Sequence, residues 1–292
     1  MTTAMQSTHS LQTPASTDIL LRFENVTIRF DEVVAVDNVS FQMSAGETRV
    51  ILGSAGSGKT TLLKAAIGLI PVDSGRVYLL GRDITDLDER QLFDIRSQVG
   101  VLFQEGGLFD SINIFENVAY PLVNGKTHKD SPEAVETKVQ NALTFVELGH
   151  TLEKYPNELS GGMRRRVGIA RAVITEPPLV LYDSPTAGLD PITATTIMAL
   201  IAKERDSLNA ANLIVTQRYQ DGQLMANFRY NRINEHLEPV PKDASGDPDG
   251  SNPTHTTFMV MKEGHLIFEG TQARLEASTD AYISKFVPKH YN

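Results

Sequence analysis

The stretch GSAGSGKT, residues 53–60, decides the reading of this chain. It fits the pattern G-x-x-x-x-G-K-[ST]. Before it stands TRVILG, a short apolar run that reads as a buried strand. After it, GKTTLLKAAIGLI reads as a helix running to Pro71. Strand, glycine turn and helix in that order are the α/β signature and the context the motif requires. Gly53, Gly56 and Gly58 let the backbone N–H groups of the loop, Ser54, Ala55 and Ser57 among them, close around phosphate oxygens. The helix start adds partial positive charge. Lys59 is placed to reach the terminal phosphates and the Thr60 hydroxyl to reach Mg²⁺, with Thr61 a second polar group beside them.

A second stretch, LVLYDSPTAGLD at 179–190, supplies a carboxylate. The apolar run LVLY is a strand, and Asp183 at its end is the expected Mg²⁺-shell residue of a phosphate-loop protein. Hydrolysis also needs a group that orients and activates water, and the next residue is Ser184. A third stretch, LSGGM at 159–163, opens the helix RRRVGIARAV; Ser160, Gly161 and Gly162 make its N-terminus another anion site.

The remaining sequence frames these motifs. The 41% hydrophobic content suits a globular chain, and 292 residues suit one large or two modest domains. A net charge of −9 argues against a nucleic-acid partner, and Arg164, Arg165 and Arg166 fan around more than one helical face, as structural or solvated residues do. Zero cysteines exclude disulfides, thiolate catalysis and Cys-ligated zinc, which fits a cytoplasmic protein. No run approaches the ~18 apolar residues of a spanning helix. Residues 1–18, rich in Ser and Thr, read as a disordered leader without secretory features. An ordered domain is expected over 19–288. RFENVTIRF has a period-two strand pattern in Val26, Ile28 and Phe30, VDNVSFQM is another strand, and SGRVYLLGRDI a small β-element. A helical insert is expected over about 105–175, with SPEAVETKVQNALTFVELG capped by Ser131. ITATTIMALIAKERDSL and NLIVTQ return to helix and strand. Residues 229–256, dense in Pro, Gly, Asp and Ser toward their end, read as a loop insertion, and FMVMKEGHLIFEG as a hairpin turning at Glu263-Gly264.

GSAGSGKT, Gln104, LSGGM, LVLYD and AGLD stand in the order found in ATP-binding cassette (ABC) ATPases, which this chain resembles over roughly residues 20–287. The resemblance implies an α/β P-loop NTPase of the ABC ATPase fold: a mixed β core, a helical subdomain and an N-terminal antiparallel β-subdomain. It implies ATP and Mg²⁺ as ligands. It implies a head-to-tail dimer, homomeric or with a second ABC ATPase, in which ATP lies between one phosphate loop and the other subunit's LSGG helix. Phe30 would stack on adenine, although its place in a strand equally suits a core residue. Gln104 would touch Mg²⁺ and sense a membrane permease, although an ordinary loop residue fits the same position. Ser160 and Gly162 would meet the partner's γ-phosphate, and Asp190 would lie at the dimer seam. The implied location is peripheral, on the cytoplasmic face of a bacterial inner membrane.

Two positions depart from that family's pattern. Ser184 stands where active members place Glu, and Gln217 where they place a phosphate-contacting His. A positioned base contributes about 10²–10⁴-fold. Near-normal nucleotide affinity with slow turnover at this site is therefore expected. Three accounts stand: a catalytically complete partner subunit, a homodimer in which Glu105 or Asp190 substitutes, or an ATP-gated clamp that hardly hydrolyses. The run VLFQEGGLFDSINIFENVAYPL, 101–122, is similar to the matching stretch FQ-x-G-x-LF-x-x-x-x-x-F-x-NVA-x-PL of ATPases of the Mla and Mce type, which drive lipid transport across the bacterial envelope. Met163 in LSGGM and the run DAYISKFV near the C-terminus resemble the same branch. Phe103, Phe109 and Phe115 also suit plain packing of the helical insert.

Overall fold

The computed structural model describes residues 19–104, 106–125, 130–240 and 254–288. The expected leader over 1–18, Glu105 and residues 241–253 of the expected loop lie outside the described residues. The elements run β1 (Ile19–Phe30), β2 (Val33–Ser44), β3 (Thr48–Leu52), α1 (Lys59–Ala66), β4 (Ser74–Leu79), β5 (Arg82–Asp83), α2 (Glu89–Arg96) and β6 (Val99–Leu102). Then come α3 (Ile114–Asn124), α4 (Pro132–Phe145), α5 (Gly161–Val173), β7 (Leu179–Asp183), α6 (Pro191–Leu208) and β8 (Ala211–Thr216). The chain finishes with α7 (Tyr219–Asn227), β9 (Phe228–Asn231), β10 (His236–Pro239), β11 (Thr256–Lys262), β12 (His265–Gly270) and α8 (Gln272–Glu276).

A six-stranded sheet in the order β12-β11-β3-β8-β7-β6 carries the fold. Its inner pairings are parallel, and only β12 joins antiparallel. The central strands are apolar because both faces are covered. Val50 and Leu52 of β3 and Val180 and Tyr182 of β7 face a core shared with α3 to α7. Ile51, Leu179 and Leu181 face the opposite core, built with α1, α2 and the antiparallel sheet β2-β1-β4-β5. The expected mixed core, antiparallel β-subdomain and helical layer are all present.

Three local expectations need correction. Helix α1 stops at Ala66, well short of Pro71. Gly68 takes φ +65°, and the Gly68 and Leu69 N–H groups bond back to Ala65 and Lys64, closing the helix with a left-handed glycine. In β1 the period of two does not reach Phe30, which is 48% exposed at the end of the strand, so its alternative as a core residue is set aside. Phe23 and Val26 are both buried because the register shifts between them, at Asn25 with φ +50°. Finally, residues 228–239 form the antiparallel hairpin β9–β10, where a loop was expected. Arg232 anchors its turn by donating to the Asp206 and Ser207 carbonyls at the end of α6.

Candidate functional site

Parallel register brings four functional stretches to one edge of the sheet. Leu52 pairs with Thr216, Asp183 with Val215, and Leu102 with Tyr182. The phosphate loop, Gln217, Asp183–Ser184 and Gln104 therefore all leave the carboxyl ends of adjacent strands, the edge where open α/β sheets bind ligands.

The loop itself is tightly determined. Gly58 has φ +99°, and a Cβ there would sit 2.2 Å from the Ala35 carbonyl of β2. A Cβ on Gly53 would meet the Ser57 hydroxyl at 2.4 Å and the Met261 carbonyl at 2.6 Å. Gly56, with φ +76°, meets nothing within 4 Å on its outer side. The loop is thus pressed against β2 and β11 on one side and open on the other. Lys59 is buried and folds back, its Nζ donating to the Ser54 carbonyl at 2.7 Å and to Ser57 Oγ at 3.1 Å. Burial lowers its pKa to about 8, with the Asp183 charge opposing the shift. Phe30 pairs with Val33 at the top of the β1–β2 hairpin, a few residues from the Ala35 carbonyl that touches the loop. Thr61 lies partly buried in the first turn of α1.

Thr60 Oγ1 donates to Asp183 Oδ1 at 3.2 Å. A hydroxyl and a carboxylate side by side are the oxygen donors that a hard divalent cation takes. Mg²⁺ keeps waters and takes phosphate oxygens, so it needs few protein ligands. That suits a site where the described residues hold no cluster of three or more His, Cys, Asp or Glu. These residues fit the ion. Ser184 also donates to Asp183 Oδ1, at 3.1 Å. It has φ +50°, and its N–H donates to the Val215 carbonyl at 2.8 Å. Gln217 is exposed just beyond β8. Of the two carboxylates that could stand in for a base, Asp190 serves as the N-cap of α6, accepting from the Ile192 and Thr193 N–H groups, and Glu105 lies outside the described residues.

LSGGM begins α5 as expected, with Ser160 as N-cap. A Cβ on Gly162 would meet Thr193 Cγ2 at 2.6 Å, so this glycine lets α5 approach α6. Gly161 shares a polar cleft of about 560 Å³ with Gln104, Arg164 and the 187–189 turn, and no residue of the phosphate loop lines it. This cleft therefore does not join LSGGM to GSAGSGKT. The three arginines after it are structural: Arg164, Arg165 and Arg166 donate to the carbonyls of Leu159, Gln104 and Val146.

Sequence reasoning missed two features. Asp221, buried on α7, accepts from the hydroxyls of Thr186 and Thr216, both at 2.6 Å, and so joins the strand ends carrying Ser184 and Gln217. Its carboxyl is pushed up by burial, against the pull of those two hydroxyls. Tyr282, near the C-terminus, touches the phosphate loop at Ser54. Nothing in the local sequence marks either contact, because both are made by tertiary approach.

Known proteins resemble this chain in sequence and in fold. The chain is 35% identical over 212 residues to the intermembrane phospholipid transport system ATP-binding protein MlaF of Haemophilus influenzae, covering 72% of this chain and 79% of that one. It is 37% identical over 198 residues to the "Probable ribonucleotide transport ATP-binding protein mkl" of Mycobacterium leprae, covering 68% of this chain but spanning only 56% of that protein's length. Among solved structures, the ATP-binding cassette MJ0796, a dimer in a post-hydrolysis state with ADP and Pi, superposes with a TM-score of 0.68 at 28% identity. That match covers 86% of this chain and 98% of the cassette. Residues 36–187 match the ABC transporter family, and with the phosphate loop, Asp183 and LSGGM in their places this chain belongs to it.

Proposed function

We propose that this chain is the ATP-binding subunit of a membrane transporter of the lipid-moving kind, and that its own site turns ATP over slowly. The observation that carries the reading is the Thr60–Asp183 contact at 3.2 Å beneath a phosphate loop whose Lys59 is intact. Thr60 and Asp183 would hold Mg²⁺, which would offset the charge of the phosphates. Lys59 leaves the Ser54 carbonyl to meet phosphate, and Phe30, exposed at the hairpin, offers a ring face to adenine. Gln104, just past the end of β6, would turn toward the ion. Ser160 and Gly162 of one copy would face the phosphate bound to another, which accounts for a cleft beside Gly161 that no residue of the phosphate loop lines.

An apolar groove supports a permease partner. It measures about 720 Å³ and is lined by Leu69, Phe93, Phe109, Tyr120 and Pro121 between α2 and α3. The Phe109 and Tyr120 rings meet at 4.7 Å, tilted by 46°, and are each more than 40% exposed. Among the described residues no helix is long and apolar enough to cross a membrane, so a subunit of this kind would reach the bilayer through such a partner. The lipid cargo is supported by the 101–122 stretch, which supplies Phe109 and Tyr120 to this groove, and by the likeness to MlaF.

Ser184 favours a second reading, an ATP-gated clamp with negligible hydrolysis. Its hydroxyl is engaged on Asp183, the carboxylate that would hold the ion. ATP turnover of the chain with its permease, beside Lys59→Ala, separates the two. Slow, Lys59-dependent turnover supports the motor. ATP binding without measurable turnover supports the clamp. Failure to bind ATP at all would overturn both.

A further inference from the structure

The phosphate loop is held from the far end of the chain. The Tyr282 hydroxyl accepts from the Ser54 N–H at 3.0 Å and donates to the Met261 carbonyl at 3.1 Å. Ser54 Oγ lies 3.0 Å from the same oxygen. A phenol has one proton, and it is used on Met261, so the Ser54 hydroxyl is the donor of that third contact. Ser54 in turn offers its carbonyl to Lys59 Nζ. A continuous chain of hydrogen bonds thus runs from the C-terminal segment to the loop lysine.

Tyr282 is itself firmly placed. Asp280 accepts from the Tyr282 and Ile283 N–H groups at 2.7 and 3.0 Å. Ile283 is buried in the core, and Phe286 meets the Tyr282 ring edge-on at 5.3 Å. The ammonium groups of Lys262 and Lys285 lie 5.5 and 5.9 Å from the ring centroid.

We propose that Tyr282 is a positioning residue for the phosphate loop, through which the C-terminal segment sets nucleotide affinity. The inference rests on the nucleotide-site reading above. Binding must order any part of the loop that is mobile, and a loop already ordered spares that cost. Helix α1 fixes one end of the loop at Lys59, and Tyr282 fixes the other at Ser54. Without the hydroxyl the ring packing survives, while the Ser54 N–H, the Ser54 Oγ and the Met261 carbonyl lose their partner.

The test titrates MgADP calorimetrically into the full-length chain, Tyr282→Phe and Lys59→Ala, and melts each protein without nucleotide. Of the three lost hydrogen bonds, the two to Ser54 hold the loop, and their loss predicts affinity weaker by roughly three- to tenfold in Tyr282→Phe. The unfolding temperature of the free variant should match that of the unmodified protein. Affinity that is unchanged or tighter overturns the proposal. So does a lower unfolding temperature with unchanged affinity, which marks a purely structural tether. If the unmodified chain binds no better than Lys59→Ala, the nucleotide-site reading itself has failed, and this inference falls with it.

Discussion

Replacing Ser184 by Glu tests the central chemical claim. Ser184 lies next to the carboxylate that would hold the ion, with its Oγ 3.1 Å from Asp183 Oδ1. A Glu there extends past Asp183 toward the open side of the phosphate loop. The backbone is already in the left-handed region at φ +50°, a conformation Ser also strains to adopt, so the change in strain is small. The negative charge of Asp183 raises the pKa of a neighbouring carboxyl, in the direction that strengthens it as a base. A base positioned this way contributes about 10²–10⁴-fold, or roughly 3–5 kcal/mol of barrier. Placement will be imperfect in a site shaped around Ser, so Ser184→Glu should raise kcat by about the lower figure, 10²-fold, with KM for MgATP little changed. Gln217→His, one residue past the Thr216 that pairs with Leu52, should add to that gain only in combination, because it contacts phosphate and does not take the proton from water. The assay is steady-state phosphate release by the complex with its permease, with Lys59→Ala as the blank. Ordinary ABC turnover by the unmodified complex, abolished by Lys59→Ala, would refute the reasoning and send the search to Glu105.

Lys59 makes nucleotide binding pH-dependent. Burial sets its pKa at about 8 in the free chain, and a bound phosphate would restore the ammonium, so binding would take up a proton above that pH. MgADP affinity should fall by about tenfold from pH 7 to pH 9, and a flat profile would count against the folded-back lysine. For stability the sign is the opposite: the unfolded chain binds more protons between about 8 and 10.5, so this group favours folding as pH rises through that window. Glu204, buried beneath β7 and accepting from Tyr182 at 3.1 Å, is pushed up to about 7 by burial. Here the folded chain binds the extra proton, so stability falls by roughly 2 kcal/mol from pH 5 to pH 8. Thermal melts of Glu204→Gln should lose that slope, and an unaltered slope would clear Glu204 of the effect. Gly58→Ala places a methyl group 2.2 Å from the Ala35 carbonyl and should weaken MgADP binding at least tenfold, by about the 1.4 kcal/mol of a mild backbone strain or more. Normal binding by that variant would show that the loop does not need its present path.

The elements that the sequence makes legible are those set by local chemistry. GSAGSGKT carries its own glycines and its flanks, so the loop, β3 and the start of α1 follow from it. The runs LVLYD and NLIVT are buried on both faces, which is why they read as central strands. The Ser131 cap with Pro132 behind it is likewise local, and the Ser131 hydroxyl accepts from the Ala134 N–H at 3.3 Å. The misses share a cause. Gly68 ends α1 before the proline can, and a glycine inside an apolar helix pattern gives no sign of the φ it will take. The β9–β10 hairpin is stabilised by Arg232 reaching the end of α6 and by Lys203 set 5.4 Å from the Tyr230 ring, contacts that exist only after the chain has folded. Tyr282 and Asp221 belong to the same class.

Ser184 shows how far a motif and its geometry can diverge. Its place is held by backbone bonds: the N–H to the Val215 carbonyl, the Ala187 N–H back to its own carbonyl, and the parallel register of Asp183 with Val215. None of these depends on the side chain. The buried Asp221 then ties Thr186 to Thr216, so the turns carrying Ser184 and Gln217 stay level whatever residues occupy them. A fold that fixes a position this firmly can change the group standing there without moving anything else. Loss of the Glu and the His would then alter the barrier to hydrolysis while leaving the nucleotide, the ion and the dimer surface untouched. If that is so, Ser184→Glu should leave MgADP affinity within about twofold, a difference below 0.5 kcal/mol. A larger change in affinity would mean that the serine hydroxyl on Asp183 takes part in ligand binding, and that slow turnover is tied to how tightly the site holds its nucleotide.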